Sequence, residues 1–205
     1  MAKIFILGGP GSGKTTLAQD LSRRLAIPHH DLDKLGWKHG MDMKAWIEDT
    51  AIIADQSAWI AEGIYIISTD HLAYQADYIV LLEVPWYIAA WRVLCRHISK
   101  TLRGTNPYPT KLLFNFMKNT YRYCVDTVDA DPIVFEAVQM YREEVKASAE
   151  PAGAEVLIER LDMCKQKVPL SAAFMRVYLE KHWERVFVVR NNTDRERLIT
   201  FLTSV

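Results

Sequence analysis

The feature that most constrains this chain is a glycine-rich stretch near its start, residues 8–16, with the sequence GGPGSGKTT. The apolar run Ile4–Leu7 before it is typical of a parallel strand that is buried on both faces. After it, Leu17, Leu21 and Leu25 recur every four residues, which is the spacing of the apolar face of a helix. A strand, a loop of the form Gly-x-x-x-x-Gly-Lys-Thr and a helix, in that order, make up a P-loop.

The residue types in this loop suit the binding of a phosphate chain. Glycines allow successive backbone N–H groups to converge on one anion, and the following helix adds its positive dipole end. We expect the Lys14 ammonium to reach the β- and γ-phosphates and the Thr15 hydroxyl to bind Mg²⁺. The alternative is a chance glycine turn, and the strand–loop–helix context argues against it. The predicted nucleotide-binding residues of the loop are Gly9, Gly11, Ser12, Gly13, Lys14, Thr15 and Thr16.

Two aspartates, Asp31 and Asp33, follow the first helix and are separated by one residue. On a short strand, residues with this spacing point to the same side. Because this second strand comes soon after the P-loop lysine, we expect its end to lie beside the loop. Asp31 is then a candidate ligand of Mg²⁺, and Asp33 is a candidate to accept the proton of an acceptor hydroxyl. The alternative is that both aspartates cap a helix.

Two glutamates stand at the ends of apolar runs. Glu62 closes a run that begins at Trp59, and Glu83 closes a run that begins at Tyr78. The carboxyl end of a strand in an α/β sheet is where a group that organises Mg²⁺ is expected. Glu62 is the better candidate for the metal site because a glycine follows it. Glu83 is equally consistent with a residue that ends a strand or begins a helix.

The C-terminal residues predict a fifth strand and a last helix. Residues 186–190 predict the strand, with an apolar run over 186–189 before Arg190, and residues 191–194 are typical of a helix start. The expected buried face of that helix consists of Leu198, Ile199 and Leu202. A GTPase would carry Asn/Thr-Lys-x-Asp in this part of the chain to bind guanine, and the lysine is missing. We therefore predict ATP as the nucleotide, with Asn191 near its base.

The P-loop and three later segments resemble the adenylate kinase-related P-loop kinases, and among them the small bacterial topology modulation proteins. The three segments are IPHHDLD at 27–33, WIAEGIY at 59–65 and ADYIVLLEVP at 76–85. The Asp31–Asp33 pair also resembles the acceptor-site aspartates of shikimate and gluconate kinases. The resemblance covers residues 1–104 and 184–205. It implies a three-layer α/β fold with about five parallel strands. The segment between the lid and the last strand is longer than this family usually carries, so we expect an added helical insertion before the last strand.

This chain departs from the resembled group at two positions. The group usually has Asp-Gly-Asn where this chain has Glu62-Gly63-Ile64, and it usually has Asp where this chain has Glu83. A carboxylate is kept in both places. The hydrogen bond that the asparagine would provide is lost at Ile64.

Charge is strongly segregated between two neighbouring segments, although 25 basic and 25 acidic residues cancel over the whole chain. Residues 84–125 contain seven Lys or Arg and no acid, whereas residues 126–163 contain ten acids and three Lys or Arg. In the resembled kinases, the helix after the fourth strand leads into a lid whose arginines close over the phosphates. The resemblance therefore implies a lid region at 84–109, with residues 104–109 as its hinge. The implied lid arginines are Arg96 and Arg103 for the transferring group and Arg92 for the nucleotide.

The same charge pattern is also consistent with two arrangements that involve no lid. The basic and acidic segments can pair with each other as adjacent solvated faces. The basic segment can also form a nucleic-acid surface with its interleaved aromatic residues Tyr108, Phe114, Phe116, Tyr121 and Tyr123. The helical spacing of these aromatic residues favours packing in the core, and the zero net charge of the chain argues against a nucleic-acid partner.

The length of 205 residues predicts a single P-loop kinase-like domain over 1–205, with residues 110–183 as a helical insertion. About four helices are expected in the insertion, with breaks near Asp131-Pro132, Glu150-Pro151 and Val168-Pro169. The insertion covers the acceptor pocket or forms the surface of a homodimer, and the sequence does not choose between these roles.

Together these features predict a cytoplasmic kinase that uses ATP and Mg²⁺ to phosphorylate a small-molecule acceptor. Three scattered cysteines indicate reduced thiols, and the absence of an apolar run of ~20 residues argues against a membrane span. No arginine occurs between Arg24 and Arg92, although arginine forks normally bind the phosphate of a nucleoside monophosphate acceptor. An uncharged, hydroxyl-bearing acceptor is therefore favoured. The alternative function is an ATP-dependent regulatory protein, a switch, that engages a protein or nucleic-acid partner.

Overall fold

Five parallel strands form one sheet in the order β2-β3-β1-β4-β5. A computed structural model of the chain describes residues 2–38, 42–106, 109–127, 135–136, 139–140, 143, 150–167 and 170–204. The strands are β1 (Lys3–Gly8), β2 (His29–Asp31), β3 (Trp59–Gly63), β4 (Tyr78–Leu82) and β5 (Val186–Val189). The predicted number of strands and their parallel arrangement are confirmed.

The helices lie on both faces of this sheet, so that the central strand β1 is enclosed: Ile4, Phe5, Ile6 and Leu7 are all fully buried. The described α-helices are α1 (Lys14–Leu25), α2 (Leu32–Lys38), α3 (Met43–Ala54), α4 (Asp70–Gln75), α5 (Trp86–Leu102), α6 (Leu113–Val125), α7 (Ala154–Lys167), α8 (Ala172–Leu179) and α9 (Asn192–Ser204). Short 3₁₀ segments, Thr110–Leu112 and Glu180–Arg185, precede α6 and β5.

Two apolar layers hold the sheet between the helices. In one, Leu17 and Leu21 of α1 pack with the predicted buried face of α9, Leu198, Ile199 and Leu202. In the other, Trp46 of α3 and Trp59 of β3 pack with residues of the predicted insertion, among them Leu157 and Phe174. The described part of the insertion therefore shares a core with the sheet.

A buried polar cluster also ties the insertion to the sheet domain. The Tyr178 hydroxyl on α8 donates to Asp70 Oδ1 at 2.5 Å, and Arg160 Nη1 on α7 lies 3.8 Å from Asp70 Oδ2. All three side chains are more than nine-tenths buried. Because a buried charge is costly without a partner, this cluster fixes α7 and α8 against the start of α4.

Two of the predicted helix breaks, Asp131-Pro132 and Val168-Pro169, lie outside the described residues. Near the third break, α7 begins at Ala154, just after Pro151. Within the described part of the chain, no helix combines the length and apolar character needed to cross a membrane.

The register of the sheet decides which polar residues meet at its carboxyl edge. Ile6 of β1 and Asp31 of β2 both pair with Glu62 of β3. The chain leaves β1 at Gly8, two residues after Ile6, and enters the glycine-rich loop. Residues that are far apart in the sequence are thus brought to one edge, beside the loop.

Candidate functional site

The glycine-rich loop connects β1 to the N-terminus of α1 and has the backbone shape of an anion site. Gly11 and Gly13 adopt positive φ angles of 74° and 97°, which strain any residue with a side chain. The Ser12 N–H donates to the Gly9 carbonyl at 3.2 Å, and α1 begins at Lys14. The unpaired N–H groups and positive dipole end of a twelve-residue helix therefore face the space above the loop.

Glu62 is the charged centre of the site. It is 1 % exposed, and its Oε1 accepts a hydrogen bond from the Thr15 hydroxyl at 2.8 Å. Lys14 Nζ lies 4.0 Å from Glu62 Oε2, and His29 Nε2 lies 3.8 Å from Oε1. A hydroxyl and a carboxylate are oxygen donors of the kind that Mg²⁺ prefers, so Thr15 and Glu62 fit this metal.

The structure assigns Asp31 and Asp33 to different elements, so the expectation that both lie on one strand is wrong. Asp31 ends β2 and caps α2: its Oδ1 accepts from the backbone N–H groups of Asp33 at 3.2 Å and Lys34 at 3.3 Å. Its other oxygen lies 3.2 Å from Lys34 Nζ. The alternative that the sequence left open, helix capping, is what Asp31 does, because the first amides of α2 need an acceptor.

Asp33 lies in the first turn of α2 and is partly buried. Among the residues that the structure describes, its carboxylate has no hydrogen-bond partner. It is therefore not held by the capping contacts that engage Asp31.

Glu83 has a different environment from Glu62, although both stand at the carboxyl ends of strands. Arg176 donates to both carboxylate oxygens of Glu83 at 2.6 Å, and Arg190 Nε lies 3.3 Å from Oε2. The contact with Glu83 raises the pKa of the Arg176 guanidinium. A carboxylate that two guanidinium groups already engage is a poor metal ligand, so the geometry favours Glu62 over Glu83 as the group that organises a metal.

A cleft of about 440 Å³ opens above the loop and collects most of the predicted nucleotide residues. Its walls include Gly13, Lys14 and Thr15 of the loop, Arg92 and Arg96 of α5, and Asn191 at the start of α9. The Asn191 side-chain oxygen accepts from the Asp194 N–H at 2.9 Å and so caps α9. Its amide nitrogen has no hydrogen-bond partner among the described residues.

The three predicted lid arginines occupy different places. Arg92 Nη1 donates to the carbonyl oxygens of Gly11 at 3.2 Å and Ser12 at 3.0 Å, so its guanidinium contacts the loop itself. Arg96 lines the same cleft one helical turn further along α5. Arg103 caps the far end of α5, is exposed and does not line the cleft. Of the predicted hinge, Gly104 has a positive φ of 65°, while Pro107 and Tyr108 lie outside the described residues.

A second cavity of about 490 Å³ lies on the other side of the loop, against Gly9 and Pro10. Its opposite wall comes from the insertion and includes Tyr123, Ala173 and Arg176. The insertion therefore reaches the P-loop and forms part of its surroundings.

Several known proteins are similar to this chain. Residues 4–77 match the family model of an AAA domain, and the comparison with curated proteins gives no match. An uncharacterized protein from Eubacterium ventriosum superimposes over the full length of both chains with a TM-score of 0.51 and 14 % identity. A shikimate kinase from Bacteroides thetaiotaomicron aligns over 71 % of this chain and 98 % of its own, with a TM-score of 0.42 and 17 % identity. A gluconokinase from Sinorhizobium meliloti aligns over 89 % and 97 %, with a TM-score of 0.40 and 15 % identity.

The chain has the fold of a P-loop NTPase. Sequence reasoning missed several residues that surround the glycine-rich loop. Arg190 lines both cavities, and Arg195 lines the nucleotide cleft while its Nη2 donates to Asp20 at 2.9 Å. Arg190 directly follows β5, so the predicted strand end was a signal that could have identified it, and Arg195 lies in the first turns of α9. No sequence signal predicts the pairing of Glu83 with Arg176, which is 93 residues away.

Proposed function

We propose that this protein is an ATP-dependent kinase that transfers the γ-phosphoryl group to a small, hydroxyl-bearing acceptor. One observation carries the proposal: Lys14 and Thr15 line a cleft together with two arginines of α5, and the buried carboxylate of Glu62 contacts both of these loop residues. A cation, a hydroxyl and a carboxylate at the N-terminus of α1 are the groups that phosphoryl transfer requires.

In this proposal, the loop amides and Lys14 bind the β- and γ-phosphates, and Arg96 neutralises charge on the group in transfer. Thr15 and Glu62 would hold Mg²⁺, which supplies charge neutralisation between the phosphates when it is bound. Arg92 donates to the Gly11 and Ser12 carbonyls and so fixes the shape of the loop whose N–H groups would bind the nucleotide.

The acceptor side is proposed from Asp33. Its partly buried carboxylate lacks a partner among the described residues, which suits a group that orients or deprotonates an acceptor hydroxyl. Asp31 caps α2 instead, so the metal role that the sequence predicted for Asp31 is left to Glu62.

Two observations favour an uncharged acceptor over a nucleoside monophosphate. The sequence has no arginine between Arg24 and Arg92. In the described structure, the guanidinium of Arg176, which faces the second cavity, is already engaged in a bidentate pair with Glu83. An arginine in such a pair does not offer its fork to a phosphate. The second cavity also supports a role for the inserted helices as a cover of the acceptor site.

The experiment that tests the proposal is ADP release from Mg·ATP across a panel of nucleosides, nucleoside monophosphates, sugars and hydroxy acids. One class should stimulate turnover, and both Lys14→Ala and Glu62→Gln should reduce it by at least about a hundredfold. Asp31→Asn is the matched control, because it neutralises a nearby carboxylate that the proposal does not use in catalysis. Tight ATP binding without acceptor-stimulated turnover would contradict the kinase and indicate the regulatory switch. The resemblance to the topology modulation proteins remains a proposal from the sequence alone.

A further inference from the structure

A histidine that the proposed reaction does not use lies against its central carboxylate. His29 begins β2, and its Nε2 atom is 3.8 Å from Glu62 Oε1. The His29 side chain is 15 % exposed, and its Nε2 atom is shielded from solvent and has no hydrogen-bond partner among the described residues. Because buried polar atoms are normally hydrogen-bonded, a shielded ring nitrogen beside a carboxylate needs an explanation.

The sheet register explains why this side chain faces Glu62. His29 pairs with Ile60, which lies two residues before Glu62 on β3. Residues at this spacing on neighbouring strands lie on the same face of the sheet. Ile60 belongs to the apolar layer that contains α1, the helix that begins with Lys14 and Thr15. His29 therefore lies on the face of the sheet that α1 covers.

The next residue, His30, lies on the opposite face of the sheet. It pairs with Ala61, which belongs to the other apolar layer. Two adjacent histidines on one strand are thus placed in different surroundings, one beside Glu62 and the other on the far side of the sheet. They offer a matched comparison, because the same side chain can be removed from either face.

Glu62 has fewer hydrogen-bond donors than a buried carboxylate needs. Its two oxygens have about four lone-pair sites, and within the described part of the chain they accept one hydrogen bond, from the Thr15 hydroxyl at 2.8 Å. Lys14 Nζ at 4.0 Å and His29 Nε2 at 3.8 Å lie near these oxygens but beyond hydrogen-bond distance. A small movement of either group would supply the missing donor.

In the proposed reaction, Lys14 is drawn away from Glu62. Its ammonium binds the β- and γ-phosphates, which carry more negative charge than one carboxylate. The Thr15 oxygen is at the same time a ligand of the metal. Of the groups that contact Glu62 in the described structure, His29 is therefore the one that the nucleotide and the metal do not recruit.

We infer that His29 is a positioning residue for Glu62. Its Nε2–H group donates to Glu62 Oε1 and so keeps the carboxylate turned toward Thr15 while Lys14 binds the phosphates. This inference rests on the proposed function, in which Thr15 and Glu62 hold Mg²⁺. Groups that orient a metal ligand in this way typically contribute about tenfold to hundredfold to metal affinity.

Calorimetry of ADP binding measures this role without turnover. Each protein is titrated with ADP once in EDTA and once in excess Mg²⁺, and the dissociation constant in EDTA is divided by that in Mg²⁺. By linkage, this ratio states how much more tightly Mg²⁺ is held on protein-bound ADP than on free ADP. A residue needed only for folding would weaken ADP in both titrations and leave the ratio unchanged.

Substitutions at the two histidines and at Glu62 test the inference. His29→Leu should lower the ratio about tenfold, while the dissociation constant of ADP in EDTA stays within about twofold of the wild-type value. His29→Gln should recover most of the ratio, because its side-chain amide places a donor near the position of Nε2. The matched control is His30→Leu, which removes the imidazole on the opposite face of β2 and should leave the ratio at the wild-type value. Glu62→Gln should lower the ratio at least as much as His29→Leu.

The outcomes distinguish this inference from the proposed function. A ratio that falls in Glu62→Gln but not in His29→Leu would overturn the inference and leave the metal role of Glu62 intact. Equal losses in His29→Leu and His30→Leu, or an equal weakening of both titrations in His29→Leu, would indicate a structural role and also overturn it. An unchanged ratio in Glu62→Gln would refute the metal role of Glu62 itself, and the inference would fail with it.

Discussion

The contact between Gly9 and Tyr123 leads to a quantitative prediction about the P-loop. A Cβ atom added at Gly9 would lie 2.3 Å from Tyr123 Cε1 and 2.4 Å from Cδ1. The Tyr123 ring is 6 % exposed, and its hydroxyl donates to Met175 Sδ at 3.2 Å, so the ring has little room to move away. Gly9 is therefore needed for packing against the insertion, independently of any nucleotide.

The expected cost of Gly9→Ala is that of overpacking a core. Forcing an extra carbon into a well-packed site typically costs about 1–3 kcal/mol of the free energy of unfolding. We expect the upper end of this range, because the ring would have to shift by roughly 1 Å to restore ordinary contact. In a Tyr123→Leu background the same substitution should cost less than about 1 kcal/mol, since the ring atoms that clash are gone.

Urea unfolding of the four proteins of this double-mutant cycle measures the effect, with tryptophan fluorescence as the probe. Gly36→Ala is the matched control: a Cβ there would meet Trp46 at 3.7 Å, an ordinary contact, and Gly36 lies within α2. It should leave stability unchanged or raise it by about 0.5–1 kcal/mol, because alanine favours a helix over glycine. Equal costs of Gly9→Ala in both backgrounds would refute the packing argument.

Three further predictions follow from the same structure. Burial, and then the neighbouring cations Arg185 and Lys181, lower the pKa of His182 from 6.5 to about 4; the unfolded chain therefore takes up the proton first, and stability should fall by about 3 kcal/mol as the pH drops from 6.5 to 4. Urea unfolding at several pH values measures this decline, and a decline of the same size in His182→Gln would contradict it. Asp31→Ala should cost about 1 kcal/mol in thermal unfolding through loss of the α2 cap, and a neutral result would exclude that role. Arg92→Gln should weaken ADP and ATP equally, about tenfold by calorimetry, because both nucleotides place a β-phosphate in the loop; a loss confined to ATP would contradict the loop-holding role.

Much of the fold could be predicted because its signals are local. The run Ile4–Leu7 is apolar on both faces, and the leucine spacing after the loop is that of a helix, so β1 and α1 follow from a few adjacent residues. The same holds for α9, whose expected apolar face is buried. The local pattern gave a wrong prediction for Asp31 and Asp33, which were both expected on one strand. The strand β2 ends at Asp31 and α2 begins at the next residue, so the two aspartates lie on different elements. The first backbone N–H groups of α2 donate hydrogen bonds to the Asp31 carboxylate. The spacing of the two aspartates in the sequence does not reveal this contact.

The sequence by itself determined that a phosphate-binding loop joins a buried strand to a helix in this chain, because glycines, a lysine and a threonine at fixed spacing leave the backbone few other shapes. Only the tertiary structure decided which carboxylate stands beside that loop. Glu62 and Glu83 both stand at strand ends in the sequence, which favours Glu62 only through the glycine that follows it. The sheet register sets Glu62 against Thr15 and Lys14, while the folding of α8 brings Arg176 to Glu83. Contacts between residues so far apart depend on how helices pack across the sheet, and no local pattern in the chain records that.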